Sequence, residues 1–280
     1  MMDLIADVSS NWKRGTNDDS FACVLDHVEK AAKAGASIVK LQLFQAEKLY
    51  SKERAPAQWT QAKKYEFPLD WLSKVRDHAK KNKIKLWASV FDKDTANQSA
   101  PFLSGIKIAS GDLTNTDLIL NVLPIVKKYN LDFVVSTGAA TIDEVYHLHE
   151  LLKSKGITPY MLHCVSIYPS KAEDYNLECL CSIAKQNLGL SDHTGTVDPM
   201  LIGMAIALGC ILFEVHFAVD ETDSPDMCVS LLPDELAEYR KQMYRAVEIL
   251  GSAWKHPLSD EAAERKWARR GDDGLRPKEG

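Results

Sequence analysis

Hydrophobic residues along the 280-residue chain form two alternating patterns. Short apolar runs, partly β-branched and apolar on both faces, are typical of strands buried on two sides. Eight such runs predict eight strands: Leu4–Val8, Ile38–Leu43, Ile84–Ser89, Ile106–Ala109, Phe133–Ser136, Tyr160–Cys164, Leu188–Ser191 and Cys210–His216. Between the runs, apolar residues recur at helical spacing. This spacing predicts helices at Phe21–Ala34, Pro68–Lys81, Thr114–Tyr129, Ile142–Lys155, Leu177–Lys185, Pro199–Leu208 and Pro233–Leu250.

Local signals agree with the ends of several predicted helices. Thr141-Ile142-Asp143-Glu144 has the capping-box sequence of a helix start. Gly35, Gly156 and Gly209 follow three of the predicted helices, at the position where C-cap glycines commonly occur. The chain is therefore expected to alternate regularly between strand and helix.

Eight strand–helix units of about 30 residues each predict an α/β fold, the (β/α)8 TIM barrel, which typically takes roughly 250 residues. A doubly wound open sheet is the alternative, but no G-x-G-x-x-G turn follows the first strand. We therefore predict a barrel over residues 1–251. Residues 252–280 are predicted to be a charged C-terminal tail, too short for a separate domain. This tail is either a flexible end or an arm that packs on the barrel or on a neighbour.

The composition, 45% hydrophobic and 26% charged, is that of an ordinary globular protein. A net charge of −5 argues against a nucleic-acid partner, because proteins that bind nucleic acid usually carry a basic patch. No apolar run approaches the roughly 18 residues of a membrane span, and the first residues lack the features of a signal peptide. We expect a cytoplasmic protein without a membrane partner, whose six cysteines are reduced thiols.

Polar side chains stand near the carboxyl ends of the eight predicted strands, where a barrel of this kind places its chemistry. Burying such groups unpaired costs several kcal/mol, so a functional site explains the whole set better than separate structural roles. The candidates are Asp7, Lys40, Gln42, Ser89, Lys107, Ser110, Ser136, His163, Tyr168, Ser191, Asp192, His193, Glu214 and His216.

These candidates divide into two kinds of site. Lys40, Lys107 and the serines are donors that would surround an anion, either phosphate or carboxylate. His193 and His216 end neighbouring strands, so their imidazoles can share a divalent Mn, Fe, Co or Zn ion with oxygen ligands. We expect His163 to be a neighbour of that site and not a ligand. The other histidines are expected to be exposed to solvent: His27, His78, His147, His149 and His256.

Eight short motifs follow one another along the chain: Ile5–Asp7, Ala34–Gln42, Ile106–Asp112, Ser136–Gly138, Leu162–Pro169, Gly189–Thr194, Phe213–Phe217 and Ser224–Asp226. With these motifs the chain resembles the sialic acid synthase (N-acetylneuraminate synthase) family, the phosphoenolpyruvate-dependent synthases of nine-carbon sugar acids. The S-D-H-T and E-x-H-F motifs together are the most specific part of the resemblance. The resemblance covers the whole predicted barrel.

The resemblance implies a reaction. Phosphoenolpyruvate condenses with the open-chain aldehyde of an N-acylated hexosamine, which is N-acetylmannosamine or a related sugar. Water adds to the former enol carbon, and phosphate leaves by C–O cleavage. The resemblance also implies a homodimer and a divalent metal held by His193 and His216. Mn is the expected metal, with Mg or Co as alternatives.

The resemblance also implies roles for single residues. Substrate binding is expected from Lys40, Gln42, Ser89, Lys107, Ser110, Ser136, Tyr168 and Ser191. The expected catalytic carboxylates are Asp7, Glu214 and Asp226, of which Asp7 would handle the attacking water. Asp7 stands where the family usually has the longer Glu.

Two features leave the substrate open. The C-terminal antifreeze-like domain of many family members, which supplies an arginine to the partner subunit's sugar site, is expected to be absent. Arg276 of the tail is our hypothesis for its replacement. One alternative to the N-acylated sugar is a non-acylated sugar, which would give a 3-deoxy-ulosonic acid. The other alternative is a barrel that binds a metabolite or partner without catalysis.

Overall fold

Residues 2–183 and 186–277 of the chain are described by a computed structural model. Its strands are β1 (Asp3–Asp7), β2 (Ile38–Leu43), β3 (Lys85–Val90), β4 (Gly105–Ile108), β5 (Asp132–Ser136), β6 (Tyr160–Cys164), β7 (Leu188–Asp192), β8 (Cys210–Phe217) and the short β9 (Ser230–Leu231). Each of β1 to β8 pairs in parallel with the next along the chain, and β1 also pairs with β8, which closes the ring. The predicted (β/α)8 TIM barrel is confirmed.

The α-helices of the described residues are α1 (Asn17–Lys33), α2 (Ala46–Leu49), α3 (Pro56–Lys64), α4 (Leu72–Lys81), α5 (Lys93–Ser99), α6 (Thr116–Tyr129), α7 (Ile142–Ser154), α8 (Leu180–Ile183), α9 (Pro199–Ala207), α10 (Pro233–Leu250) and α11 (Ala262–Ala268). The capping box at Thr141 is present, and Gly35, Gly156 and Gly209 adopt positive φ values of 90°, 66° and 100°. These local predictions are confirmed.

The hydrophobic pattern does not predict α3 and α5, because both helices are short and largely polar. A local cap starts α5, since the Asp92 carboxylate accepts hydrogen bonds from the backbone N–H groups of Asp94 and Thr95. The helix predicted over Leu177–Lys185 is a 3-10 turn at Leu177–Cys179 followed by α8. The last two residues of that prediction lie outside the described residues.

The chain divides between residues 247 and 248 into two compact units. The first contains the barrel, and the second contains α11, which is preceded by a 3-10 turn at Ser259–Glu261. Among the described residues, no helix is long and apolar enough to cross a membrane.

The floor of the barrel is a small apolar cluster, distinct from the main core between strands and helices. It consists of Ile5, Ile38, Trp87, Val134, Leu162 and Leu212. Gly105 and Gly189 stand at the same level on β4 and β7, because they pair directly with Trp87 and with Leu162 and Leu212. The two glycines leave the space that the large side chains fill, so the interior is closed below the level of the polar strand ends.

Replacing Gly189 by alanine should destabilise this floor strongly. An added Cβ would lie 2.2 Å from Leu162 Cδ2 and 2.4 Å from the Leu212 carbonyl oxygen, and that backbone oxygen cannot move without breaking the barrel. Overpacking of this kind costs about 3 kcal/mol of unfolding free energy, which urea denaturation followed by circular dichroism measures. The control is Gly203→Ala in α9, whose Cβ would only touch Ala246 at 4.0 Å. We expect that variant to gain up to about 1 kcal/mol, and equal stability of the two variants would contradict the prediction.

His27 is not exposed to solvent, so that prediction was wrong. It lies on α1 with no exposed surface, packed edge-on against Phe217 at 5.6 Å between ring centroids. Its Nδ1–H donates to the carbonyl oxygen of Cys23 at 2.7 Å, and its Nε2 has no partner among the described residues. Burial disfavours the charged ring and lowers the pKa of His27 to about 4, so the ring is neutral at pH 7.

The burial of His27 predicts a loss of stability in mild acid. Its pKa is lower in the folded chain than the usual 6.5, so the unfolded chain takes up this proton first as the pH falls. The stability is fully present above pH 6.5 and is lost as the pH falls to about 4, by about 3 kcal/mol. The difference in unfolding free energy between the wild type and His27→Leu, measured at pH 7 and pH 4, isolates this effect. A difference that is the same at both pH values would contradict it.

Candidate active site

A layer of polar residues lies directly above the apolar floor, one from each barrel strand. Side chains two residues apart on a strand face the same side, so each member stands two positions after a floor residue or one of the two floor glycines. The layer consists of Asp7, Lys40, Ser89, Lys107, Ser136, Cys164, Ser191 and Glu214, and none is more than 5% exposed. The sequence therefore carries eight inward-facing polar or thiol groups at one level of a closed barrel.

Two buried ion pairs connect the layer. Lys40 Nζ donates to Asp7 Oδ2 at 2.7 Å and to Ser89 Oγ at 3.1 Å. Lys107 pairs with Glu214 across the barrel, and Glu214 Oε2 lies 3.7 Å from Lys40 Nζ. Ser191 Oγ donates to Glu214 Oε1 at 2.8 Å. Two ammonium groups and two carboxylates thus share the interior, where an unpaired charge would be strongly unfavourable.

The ion pairs stabilise the charged forms of Glu214 and Lys40. Burial opposes ionisation of Glu214, but Lys107 and Lys40 outweigh it and hold the pKa of Glu214 well below its usual range. Burial also opposes the charge of Lys40, but Asp7 and Glu214 outweigh it and raise the pKa of that ammonium. An incoming anion would compete with the two carboxylates for the Lys40 and Lys107 side chains.

The serine hydroxyls predicted to bind the anion occupy different levels. Ser89, Ser136 and Ser191 belong to the polar layer, and Ser136 Oγ is buried without a hydrogen-bond partner among the described residues. Ser110 lies beyond the layer, where its Oγ accepts a hydrogen bond from the Gly138 N–H at 3.1 Å. A buried hydroxyl without a hydrogen-bond partner is unfavourable. A ligand that bonds to the Ser136 hydroxyl would remove this cost, so Ser136 indicates that a ligand binds at the level of the polar layer.

The two candidate metal ligands lie side by side at the barrel mouth. The rings of His193 and His216 are 5.3 Å apart between centroids, at an interplanar angle of 75°. His193 Nδ1–H donates to the Val165 carbonyl oxygen at 2.6 Å, so Nε2 is the nitrogen that carries the lone pair and faces the mouth of the site. Burial, with a smaller contribution from His216, lowers the pKa of His193 to about 4, so it is neutral as a metal ligand must be.

The donor set that the described residues offer here is a two-histidine set. His216 Nδ1 is buried without a hydrogen-bond partner, and its Nε2 lies 4.0 Å from Asp7 Oδ2. Within residues 2–183 and 186–277, no group of three or more His, Cys, Asp or Glu side chains is arranged to hold a metal ion. A divalent ion at His193 and His216 would therefore need its other ligands from water or from substrate oxygens.

Tyr168 and Asp226 complete the mouth of the site. The Tyr168 ring stacks on His193 at 4.4 Å, and its hydroxyl lies 3.3 Å from His193 Nε2. Asp226 Oδ2 accepts hydrogen bonds from Ser9 Oγ at 2.6 Å and from the Ser10 N–H at 3.1 Å. Burial opposes ionisation of Asp226, but His216 and these donors outweigh it and lower its pKa.

Gln42 connects the polar layer with the mouth of the site through hydrogen bonds. Its Nε2 donates to Asp7 Oδ2 at 3.2 Å and to Ser9 Oγ at 3.0 Å. Ser9 and Ser10 were not among the predicted site residues, although they follow the first strand directly in sequence. Their position two and three residues after Asp7 was the only signal in the sequence.

Two predictions, for His163 on β6 and for Asp192 at the end of β7, were wrong. His163 faces the helices and not the site, since its Nε2–H donates to the Tyr175 carbonyl oxygen at 2.7 Å. It is therefore neither a ligand nor a neighbour of the two histidines, and its successor Cys164 occupies the polar layer. Asp192 also faces outward, where it accepts a hydrogen bond from Tyr239 Oη at 3.2 Å. The other predicted site residues are brought together at the mouth and interior of the barrel.

Comparison with known proteins gives a consistent result. The sequence pattern of the NeuB family matches residues 27–255. The N,N'-diacetyllegionaminic acid synthase of Campylobacter jejuni is 31% identical, over 84% of this chain and 74% of its own length. The spore coat polysaccharide biosynthesis protein SpsE of Bacillus subtilis is 28% identical, over 96% of this chain and 77% of its own.

Among solved structures, the N-acetylneuraminic acid (sialic acid) synthetase of Leptospira borgpetersenii, in complex with citrate, superposes with a TM-score of 0.82. It is 26% identical, and the match covers 94% of this chain and 90% of that one.

Proposed function

The chain belongs to the NeuB family and is a sialic acid synthase-like enzyme, and we propose that it condenses phosphoenolpyruvate with an N-acylated hexosamine. N-acetylmannosamine and related acetamido sugars are the proposed substrates, and the products are a nine-carbon sugar acid and phosphate. The polar layer carries the proposal, because two lysines and three serines converge there at the closed base of a barrel. Such a set suits a small substrate that bears a phosphate and a carboxylate.

The proposed reaction forms one C–C bond and breaks one C–O bond. The CH₂ carbon of phosphoenolpyruvate attacks the aldehyde carbon of the open-chain sugar, whose oxygen takes up a proton and becomes a hydroxyl, and water adds to the enol carbon. The bond from that carbon to the phosphate oxygen then breaks, and phosphate leaves with the electron pair. Lys40 and Lys107 stabilise the charge on the leaving phosphate, and Asp7, held by Lys40 and Gln42, is placed to accept the proton of water.

The site is also suited to a divalent ion. His193 and His216 would hold it, with Mn as the proposed metal and Mg or Co as alternatives. When bound, such an ion supplies a Lewis acid for the sugar oxygen. Asp226 and Glu214 lie at the edge of this part of the site, and both carboxylates are ionised. They are therefore placed to hold sugar hydroxyls as hydrogen-bond acceptors. Family resemblance supports a homodimer, and a homodimer in the cytoplasm is part of the proposal.

The test is phosphate release from phosphoenolpyruvate in the presence of Mn²⁺, with a panel of sugars. The panel contains N-acetylmannosamine, a 2,4-diacetamido hexose, mannose and a pentose phosphate. We expect release with an acylated sugar and its loss when a chelator is added. Release only with a non-acylated sugar would favour a 3-deoxy-ulosonic acid synthase. Absence of release with every sugar, from a folded protein that binds Mn²⁺, would contradict catalysis and favour a metabolite-binding barrel.

A further inference from the structure

The residue that follows β7 needs backbone partners from outside the sheet. β7 ends at Asp192, so the main chain of His193, a candidate metal ligand, lies beyond the strand pairing that holds β7 between β6 and β8. His193 is buried, and a buried backbone N–H or C=O group without a partner is unfavourable. Other segments of the chain must therefore hold the residue that would carry the metal.

The segment from Val165 to Tyr175, which follows β6, supplies these partners. The Ser170 N–H donates to the His193 carbonyl oxygen at 3.0 Å, and the His193 N–H donates to the hydroxyl oxygen of Tyr175 at 2.6 Å. The His193 ring is held by the Val165 carbonyl oxygen and by the stacked ring of Tyr168. This one segment thus provides partners for both main-chain polar groups of His193 and for its ring.

The buried hydroxyl of Tyr175 bridges two residues of the candidate active site. Tyr175 ends a 3-10 turn at Ala172–Tyr175 and has no exposed surface. Its hydroxyl accepts the His193 N–H and donates to the carbonyl oxygen of Ser191 at 3.3 Å, and Ser170 Oγ donates to it at 3.2 Å. The one proton and the two lone pairs of the hydroxyl are therefore all used. Because Ser191 belongs to the polar layer, this hydroxyl fixes the metal ligand relative to the anion site.

We propose that Tyr175 is a positioning residue for metal binding at His193. Metal–ligand distances vary by only about 0.2 Å, so a ligand beyond the end of a strand has to be fixed by other contacts. The hydroxyl holds His193 beside His216. Without it, the His193 N–H would be buried without a partner, and the main chain would shift to reach another acceptor. This inference rests on the proposed function, because it assumes a divalent ion at the two histidines.

Tyr175→Phe tests this role, because it removes the hydroxyl and keeps the ring. Loss of an outer hydrogen-bond partner of a metal ligand typically costs about 10–100-fold in affinity, so we expect the dissociation constant for Mn²⁺ to rise at least about tenfold. Electron paramagnetic resonance of Mn²⁺ measures this constant without substrate. At saturating Mn²⁺ the variant should regain near wild-type kcat with an unchanged KM for phosphoenolpyruvate, since excess metal offsets a loss of affinity but does not repair a general structural defect.

Tyr239→Phe is the matched control. Tyr239 also has no exposed surface, and its hydroxyl donates to Asp192 Oδ2 at 3.2 Å, on the residue between the two that Tyr175 holds. Both variants remove a buried hydroxyl at the end of β7, so both should lose stability in thermal unfolding, but Tyr239→Phe should bind Mn²⁺ as tightly as the wild type. Equal Mn²⁺ affinity in the two variants would overturn the inference, as would a defect of Tyr175→Phe that saturating Mn²⁺ does not reverse.

Ser170→Ala is the second variant, for the case that Tyr175→Phe does not fold. It removes one donor to the Tyr175 hydroxyl and leaves that hydroxyl on His193. Mn²⁺ affinity should fall about threefold, less than on loss of the direct partner, and an unchanged affinity would overturn the inference. Failure of the proposed function is distinguishable, because Mn²⁺ binding is measured without turnover. A wild type that binds Mn²⁺ but releases no phosphate with any sugar contradicts the synthase, while the Mn²⁺ titrations still decide the role of Tyr175.

Discussion

Replacing Lys107 by methionine should reduce kcat/KM for phosphoenolpyruvate by about 10³-fold. The Lys107 ammonium is buried in the polar layer and forms an ion pair with Glu214. Methionine has a similar length and keeps the packing, but it removes one of the two charges that neutralise the departing phosphate. Steady-state phosphate release measures the effect, and Lys85→Met on the exposed start of β3 is the matched control.

Measurements of unfolding free energy separate the loss of stability from the loss of activity in Lys107→Met. Lys107→Met leaves Glu214 with Lys40 as its remaining cation, at 3.7 Å, so part of the about 3–5 kcal/mol cost of breaking a buried pair is expected. Adding Glu214→Gln removes the uncompensated carboxylate and should restore much of the unfolding free energy without restoring activity. A Lys107→Met enzyme with near wild-type kcat/KM would contradict an anion site in the polar layer.

Replacing His216 by alanine should abolish Mn²⁺ binding and reduce the rate of phosphate release by about 10³-fold. The described residues offer only a two-histidine donor set, so removing one imidazole leaves too few protein ligands to retain the ion. Electron paramagnetic resonance of Mn²⁺ measures binding without any turnover, and thermal unfolding checks that the variant is folded.

His163→Ala is the matched control for the metal prediction. This residue lies on the strand next to β7, but it faces the helices and hydrogen-bonds the Tyr175 carbonyl oxygen. Its replacement should leave Mn²⁺ affinity unchanged. If His216→Ala binds Mn²⁺ as tightly as the wild type, then the pair at the barrel mouth is not the metal site.

The barrel was predictable because its strands are apolar on both faces, and the intervening helices carry clear apolar stripes. The same property explains the misreading of β6. Both faces of Tyr160–Cys164 are covered, so alternation along the strand does not reveal whether His163 or Cys164 faces inward. The apolar floor shows that Cys164 faces inward, since Leu162 belongs to the floor cluster and Cys164 stands two residues further along the strand. That information is available only once neighbouring strands are placed in register.

Polar helices and loops account for the remaining differences. The helix α3 has no apolar stripe facing the main core, since only Ala62 on it is buried. The prediction that His27 is exposed was wrong because a histidine on a helix is usually exposed, whereas α1 packs this one against Phe217. Contacts between distant segments decide all of these cases.

The most direct test of the account uses phosphoenolpyruvate labelled with ¹⁸O in the oxygen that bridges carbon and phosphorus. The label is followed by mass spectrometry after turnover with N-acetylmannosamine or the preferred acylated sugar. We predict a product that carries the three carbons of phosphoenolpyruvate joined to the sugar, with the label in the released phosphate. Label retained in the organic product would show P–O cleavage and contradict the proposed chemistry. Absence of the joined product with every sugar would contradict the synthase itself.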